Sequence, residues 1–408
     1  MKESGIPWIG LIPEEWKVTR IKNLYKERSE LSETGEEQLL SVSEYYGVAP
    51  TSSKIEDGEF LTRSESLIGY KKCFKNDFVS NIMLAWKGSF GTTQFDGIVS
   101  PAYCVYKPSD SISPEYYHYL FRTDLYKTVF KTYSKGIIDS RLRLYSQYFY
   151  DIKAIVPPLA EQERIAAVLD AKCGEIDELI GVQEEMIAEL TAYRQAVITE
   201  AVTRGLDPNA PLRQTNIPWL PQIPTHWEIK SLRYEFDILD YLREPVSAEK
   251  RSQENPIYDY YGASGIIDKI DYFNVDDKVL LIGEDGANLV LRHLPLIYKA
   301  QGKFWVNNHA HILKPITGDY DFMAYLLEAV DYTDYITGSA QPKLSQSNLK
   351  AVKLDVPPLS EQEAIAEYLD GKTAEIDELI ALKRHKIAEL KEYRKSLIFE
   401  YVTGKKLA

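Results

Sequence analysis

Along residues 176–198, apolar side chains recur three, four and seven positions apart: Ile176, Leu179, Ile180, Ile187, Leu190, Val197 and Ile198. The spacing returns two hundred residues later at Ile376, Leu379, Ile380, Ile387, Leu390, Leu397 and Ile398. This period predicts two helices, each with one stripe seeking burial. Pro157-Pro158 and Pro357-Pro358 exclude helix immediately before, and Gly205 and Gly404 supply stops. Ser360 followed by Glu363 has the capping-box pattern, whereas Ala160 lacks it, so the first helix is expected to fray more at its start. About 43 helical residues at ~1.5 Å rise give rods of ~60 Å, long enough to be expected to pack on each other. Gly174 costs its helix roughly 1 kcal/mol against Ala and predicts a break there.

The two helices are copies. Val156-Pro157-Pro158-Leu159-Ala160-Glu161-Gln162-Glu163 reappears as Val356-Pro357-Pro358-Leu359-Ser360-Glu361-Gln362-Glu363, and 26 of the 45 positions in 156–200 match those in 356–400. A shorter echo opens each half: Ile6-Pro7-Trp8, Ile12-Pro13 and Trp16, then Ile217-Pro218-Trp219, Ile223-Pro224 and Trp227. Between these marks the halves diverge. The chain therefore reads as a domain at 1–155, a spacer helix at 156–204, a second domain at 205–355 and a C-terminal helix at 356–408.

Each domain has strand-then-turn patterns, Asp77-Phe78-Val79 leading to Trp86-Lys87-Gly88 and Asp277 to Ile282 leading to Glu284-Asp285-Gly286, followed by helical stretches at 114–126 and 321–329. The expected class is α/β: two globular domains of similar fold, separated by long helices packed as an antiparallel coiled coil with pseudo-twofold symmetry. The midpoints carry opposite charge, Gln183-Glu184-Glu185 against Lys383-Arg384-His385-Lys386. Antiparallel packing would make these faces meet, unless both are simply solvated.

Composition narrows the class. With 408 residues, 44% hydrophobic and 27% charged, the chain suits two or three globular domains rather than a disordered or fibrous protein. It has no run of eighteen apolar residues and no charged-then-apolar leader over 1–16, so a soluble cytoplasmic protein with no membrane partner is expected. Cys73, Cys104 and Cys173 form neither a disulfide framework nor a zinc spacing. The net charge of −13 argues against a nucleic-acid partner unless basic groups are locally concentrated. By segment the net charge is 0 for 1–155, −6 for 156–204, −6 for 205–355 and −1 for 356–408.

The duplicated Pro-Pro-Leu-x-Glu-Gln with Ile165-Ala166 and Leu169-Asp170, the Ile-Pro-x-x-Trp openings at 12–16 and 223–227, and Thr203-Arg204-Gly205-Leu206-Asp207-Pro208 resemble the specificity subunit of Type I restriction-modification systems. The resemblance covers essentially the whole chain. It implies a non-catalytic reader of double-stranded DNA, with each variable segment a target recognition domain for one half of a split, asymmetric site. The helices would set the half-site spacing, about one helical turn or ~34 Å, and dock two modification subunits. By the same resemblance this chain binds no cofactor; the modification subunits carry S-adenosylmethionine, and two restriction subunits, where present, use ATP and magnesium. The apolar positions Ile176, Leu179, Ile180, Ile187, Leu190, Val197, Ile376, Leu379, Ile380, Ile387, Leu390 and Leu397 are then expected at the helix-pair or partner interface.

In the first domain the candidate DNA contacts are Lys71, Lys72, Lys75, Trp86, Lys87, Ser89, Arg141 and Arg143. Arginine can grip guanine through two hydrogen bonds, and lysine contributes mainly a phosphate charge. Lys71 and Lys72 read equally well as a solvated strand edge. Arg141, Arg143 and Leu144 align with Gln341, Lys343 and Leu344, a polar, basic, apolar repeat. The second domain offers Tyr258, Tyr260, Tyr261, Ser264, Arg292, His293, Lys303, Asn307, Asn308, His309, Gln341 and Lys343, because Asn can pair with adenine and Tyr with phosphate or sugar. His309 and His311 alternate as on a strand, yet no third ligand accompanies them, so they are expected to be structural or to face DNA. No phosphate loop and no Asn-Pro-Pro-Tyr motif occurs, so no activity is expected of the chain alone. The rival expectation is a duplicated coiled-coil adaptor that joins proteins and never touches DNA.

Overall fold

A computed structural model describes residues 1–51, 66–251, 256–338 and 341–408. The chain forms two compact units, Met1–Glu184 with His385–Ala408, and Glu185–Arg384. The helices are therefore not domains of their own. Each unit is one head joined to part of both helices.

The first head is organised on four antiparallel strands, β1 (Tyr25–Arg28), β2 (Phe78–Asn81), β3 (Phe90–Thr92) and β4 (Tyr103–Pro108), in the order β1-β4-β2-β3. Its core is aromatic: Phe78 and Phe149 stack with centroids 5.5 Å apart, and Phe90, Tyr106, Phe121 and Phe130 pack around them. The helical stretch expected at 114–126 is two helices, α1 (Pro114–Phe121) and α2 (Asp124–Tyr133). The Thr123 side chain accepts from the Tyr126 N–H and starts the second one, which residue periodicity alone did not show.

In the second head β5 (Phe236–Ile238), β6 (Tyr258–Gly262), β7 (Gly265–Ile270), β8 (Val275–Gly283), β9 (Ile297–Val306) and β10 (Ala310–Pro315) form one sheet in the order β5-β10-β8-β9-β6-β7. Its first four strands repeat the order found in the first head, so unlike sequences build the same frame. Strand β9 pairs antiparallel with β8 and, through Trp305 and Val306, parallel with β6.

Long helices α3 (Leu159–Arg204) and α5 (Leu359–Val402) leave the heads at equivalent joints, with α4 (Tyr320–Ala329) preceding the second. The opening strand of each head pairs antiparallel with its closing strand, Lys17–Arg20 with Lys153–Val156 and Glu228–Ser231 with Lys353–Val356. Trp16 Nε1 donates to Glu161 Oε2 and Trp227 Nε1 to Glu361 Oε2, both at 2.9 Å. Buried Gln162 accepts from the Ser113 N–H and donates to the Pro157 carbonyl; Gln362 does the same with Asp319 and Pro357. Farther along, Asp170 accepts from the Tyr119 hydroxyl and Asp370 from that of Tyr325. The duplicated motif is thus a mechanical joint.

That joint also corrects the expectation about caps. Both helices begin at the leucine before Ala160 or Ser360, and in each the preceding proline carbonyl accepts the N–H groups of the Glu and Gln. Ser360 lies inside the first turn and caps nothing, and the two starts are alike.

Within the first unit Ile165, Leu169 and Ile176 of α3 share a core with Leu397, Tyr401 and Val402 of α5. Within the second, Val197, Ile198, Ala201 and Val202 share one with Ile365, Ala366 and Leu369. The pairing is antiparallel, and Arg394–Asp177 (3.1 Å) and Arg194–Asp377 (3.0 Å) cross it at matching positions. These ion pairs lie away from the charged midpoints, where His385 and Lys386 bond to Glu389 on their own helix. Leu179 and Leu379, 51% and 45% exposed, point outward rather than into the pair. The apolar stripe is wider than the contact.

Helix α3 runs unbroken through Gly174, contrary to the expected break, because tertiary packing outweighs the local propensity. A Cβ added at Gly174 meets nothing within 4 Å. Gly174→Ala should therefore raise stability by about 0.5–1 kcal/mol and the thermal midpoint by roughly 2 °C. A lower midpoint in a thermal melt would show that the glycine is needed for something other than helix formation.

Candidate nucleic-acid interface

In the first head two loops are tied together where the Leu144 N–H donates to the Ile82 carbonyl (3.0 Å). One follows β2 and carries Trp86 and Lys87; the other leaves α2, carries Arg141 and returns at Arg143 through paired backbone bonds with Lys135. Lys131, absent from the sequence candidates, links them: its ammonium lies 5.0 Å from the Trp86 ring centroid and 2.8 Å from Asp139. Lys87 lies 5.3 Å from the same ring. Trp86 therefore holds cations in place. Lys131 and its neighbour Lys135 were recognisable only as helix-end charges, since the loop they serve closes through backbone bonds.

Other candidates in this head lie outside that set. Lys71 donates to the Tyr103 carbonyl (2.7 Å), Lys72 pairs with Glu37 (3.1 Å), and Lys75 is exposed with its N–H on Asp96. Ser89 is corrected: it is buried and donates to the Val42 carbonyl, so it faces inward.

The corresponding loops of the second head meet in the same way, Leu344 N–H donating to the Glu284 carbonyl (2.7 Å) and Lys343 bridging Thr337 through backbone bonds. A charged network fills the junction. Glu284 accepts from Arg243 (2.5 Å) and lies 3.1 Å from Lys343; Arg243 approaches Asp240 (3.4 Å), which is bonded to His311 (2.6 Å) and Gln346 (3.0 Å). Burial pushes the Glu284 carboxyl up, but the hydrogen bonds from Arg243 and Lys343 outweigh it and hold it below its usual range. Asp240 is likewise pushed up by burial and pulled lower overall by His311, the Ile312 N–H and Arg243. His309 pairs with Asp285 (2.8 Å) at the edge of this network. The acids here orient the basic groups, which accounts for an acidic head that still presents cations.

Gln341, Lys343, His309, Asn308 and Ser264 stay exposed around this junction, Ser264 at the β6–β7 turn, whose neighbour Ala263 comes close to Gly283. Several candidates are corrected. Tyr260 is buried and bonded to Val246 through its hydroxyl, Tyr261 is buried edge-on to Phe304, and Asn307 is buried with its side chain accepting from the His309 N–H. The Arg292 guanidinium donates to the Glu328 and Val330 carbonyls at the end of α4. Tyr258 packs on Phe273 and Lys303 lies over that ring, away from the junction, while His293 is exposed on the loop beside Arg292. His311 is fully buried with both ring nitrogens bonded, to Asp240 and to the Leu344 carbonyl. Among the described residues no cluster of three or more His, Cys, Asp or Glu suits a metal ion.

Two stretches, 13–189 and 224–392, match the Type I restriction modification DNA specificity domain. Together they span most of the chain. The chain belongs to that specificity family. The putative type I restriction enzyme MjaX specificity subunit of Methanocaldococcus jannaschii is 24% identical over 97% of this chain and 95% of its own length. A putative specificity subunit of Haemophilus influenzae, S.HindORF215P, is 31% identical over 36% of this chain and 37% of its own. The fold resembles a chain from a solved type I R-M system at TM-score 0.72, with 17% identity, 97% coverage of this chain and 100% of that one. It also resembles the HsdS subunit from Thermoanaerobacter tengcongensis at TM-score 0.54 with 17% identity, covering 100% of each chain. As a specificity subunit, the chain has a DNA-recognition role by family. No helix among the described residues is long and apolar enough to cross a membrane.

Proposed function

We propose that each head reads one half of a split, asymmetric sequence in double-stranded DNA, while α3 and α5 set the half-site separation and dock two modification subunits. One observation carries this reading: the joints are identical in kind, whereas the loops they support are not. The same frame presents Trp86, Lys87 and Arg141 in one head and His309, Gln341 and Lys343 in the other. Shared construction with unshared contact chemistry fits one partner type and two targets.

The helices support the docking half of the proposal. Leu179, Val182 and Tyr193 on α3 and Leu379, Leu382 and Tyr393 on α5 are exposed apolar residues at equivalent positions. Two copies of one apolar face suit two copies of one partner. The chain itself performs no chemistry in this reading; S-adenosylmethionine belongs to the modification subunits, and ATP with magnesium to restriction subunits. Since many head cations are already paired with carboxylates, the chain alone is expected to bind DNA weakly and in a strongly salt-dependent way.

Mapping adenine methylation across the genome with and without this chain tests the proposal. Loss of one split motif is the expected result, and exchanging residues 1–155 for the equivalent head of another family member should change only one half of it. Unaltered methylation with active modification subunits present would instead favour an adaptor without DNA contact.

A further inference from the structure

Ile137 and Ile138 stand at the tip of the loop between Lys135 and Arg143, 98% and 54% exposed. Two adjacent apolar side chains in water are unfavourable unless a partner covers them. The loop that carries them is built rather than slack. Lys135 and Arg143 exchange backbone bonds of 2.9 Å in both directions, residues Asp139–Arg141 form a 3₁₀ turn, and the Lys131–Asp139 ion pair braces one side. Gly136 sits so close to the Arg141 carbonyl that a Cβ there would meet it at 2.5 Å.

The surroundings of the tip are cationic. Lys135 and Arg141 flank it, and Lys131 and Lys87 continue the charge across the Trp86 ring. The equivalent loop of the second head keeps the backbone bridge, Thr337 with Lys343, and has Gly338 against the Gln341 carbonyl. Its sequence there, Gly338-Ser339-Ala340-Gln341, offers no large apolar residue. The apolar tip therefore belongs to one head and is not required by the frame.

We propose that Ile137 is a wedge that enters the duplex between neighbouring base pairs of the half-site under the first head, while Lys135 and Arg141 hold the adjacent phosphates. This rests on the DNA-reading function proposed above. A polyanion is the partner that an apolar point with a cationic rim fits: the side chain gains burial between bases, and the rim offsets the cost of unstacking them. Because steps differ in how readily they open, Ile137 adds sequence preference without a hydrogen bond to any base.

The test uses the full chain assembled with its modification subunits on duplexes carrying the mapped motif, with 2-aminopurine placed singly along the first head's half-site. Besides the methylated adenine, which the modification subunits draw out of the stack, one further position should brighten several-fold with the native chain and with Ile137→Leu. With Ile137→Ser that brightening should vanish and affinity fall about tenfold, at an unchanged thermal midpoint. Native brightening at that further position in Ile137→Ser overturns the wedge. If Arg141→Glu still weakens binding in that case, the head meets DNA and only the wedge is lost; if it too has no effect, the DNA reading of this face fails as well. Impaired assembly of Ile137→Ser with the modification subunits in the absence of DNA would assign the tip to a protein contact and likewise overturn the proposal.

Discussion

At pH 8, Asp355→Val raises the stability of the second unit by about 5 kcal/mol, because it removes a buried carboxyl whose proton the unfolded chain releases and the folded chain holds. Asp355 is fully buried in the closing strand of the second head, and neither carboxylate oxygen has a hydrogen-bond partner. The same position of the first head holds buried Ile155. Burial pushes the Asp355 carboxyl up to about 8. The unfolded chain releases this proton near the ordinary carboxylate value, whereas the folded chain keeps it, so raising the pH between roughly 4 and 8 works against folding. The slope approaches about 1.4 kcal/mol per pH unit in that window and flattens above it. Urea unfolding from pH 5 to pH 9 should show this extra slope in the native chain and not in Asp355→Val. Parallel curves for the two proteins would exclude Asp355 as the source.

Gln362→Leu should destabilise the second unit by about 2–5 kcal/mol. The amide occupies a buried notch where its oxygen accepts from the Asp319 N–H (2.9 Å) and its nitrogen donates to the Pro357 carbonyl (2.8 Å). Leucine has similar bulk but leaves both backbone groups unpaired, at roughly 1–3 kcal/mol each. Asp319 also starts α4, so the loosening reaches the core side of that helix. Gln162→Leu should do the same to the first unit through Ser113 and Pro157. Hydrogen exchange reads the two separately: faster exchange in α1 for Gln162→Leu and in α4 for Gln362→Leu. Equal protection to the native chain would mean that water replaces the amide without loss.

The helices and the duplicated plan were legible because identity at a fixed offset and a three-four-seven spacing are properties of the chain alone. The joint was only half legible. Glu161, Gln162 and Asp170 stood out as repeated residues, but their partners Trp16, Ser113 and Tyr119 come from far along the sequence. Leu179 and Leu379 could not be divided between the helix pair and a partner face, because one apolar stripe covers both the buried seam and an outward face. Ser89, Tyr260, Tyr261 and Asn307 have suitable chemistry for DNA, and only the direction of each side chain removes them. The Arg243–Glu284–Lys343 network joins three separate loops, which no local pattern announces. Ile137 escaped notice for the opposite reason: an isoleucine pair in sequence reads as core until a closed loop lifts it into solvent.

The first unit is completed by residues 385–408, and this governs the order of its assembly. Residues 185–384 form a contiguous unit, while the core around Tyr116 waits for Leu397, Tyr401 and Val402, and the Tyr116 hydroxyl donates to the Val402 carbonyl. During synthesis the head that emerges first is thus the one finished last, its apolar groove open while about two hundred further residues are translated. A chain cut short after residue 384 would keep every residue of the second unit and leave the core of the first uncovered, the form in which a chaperone has most to cover.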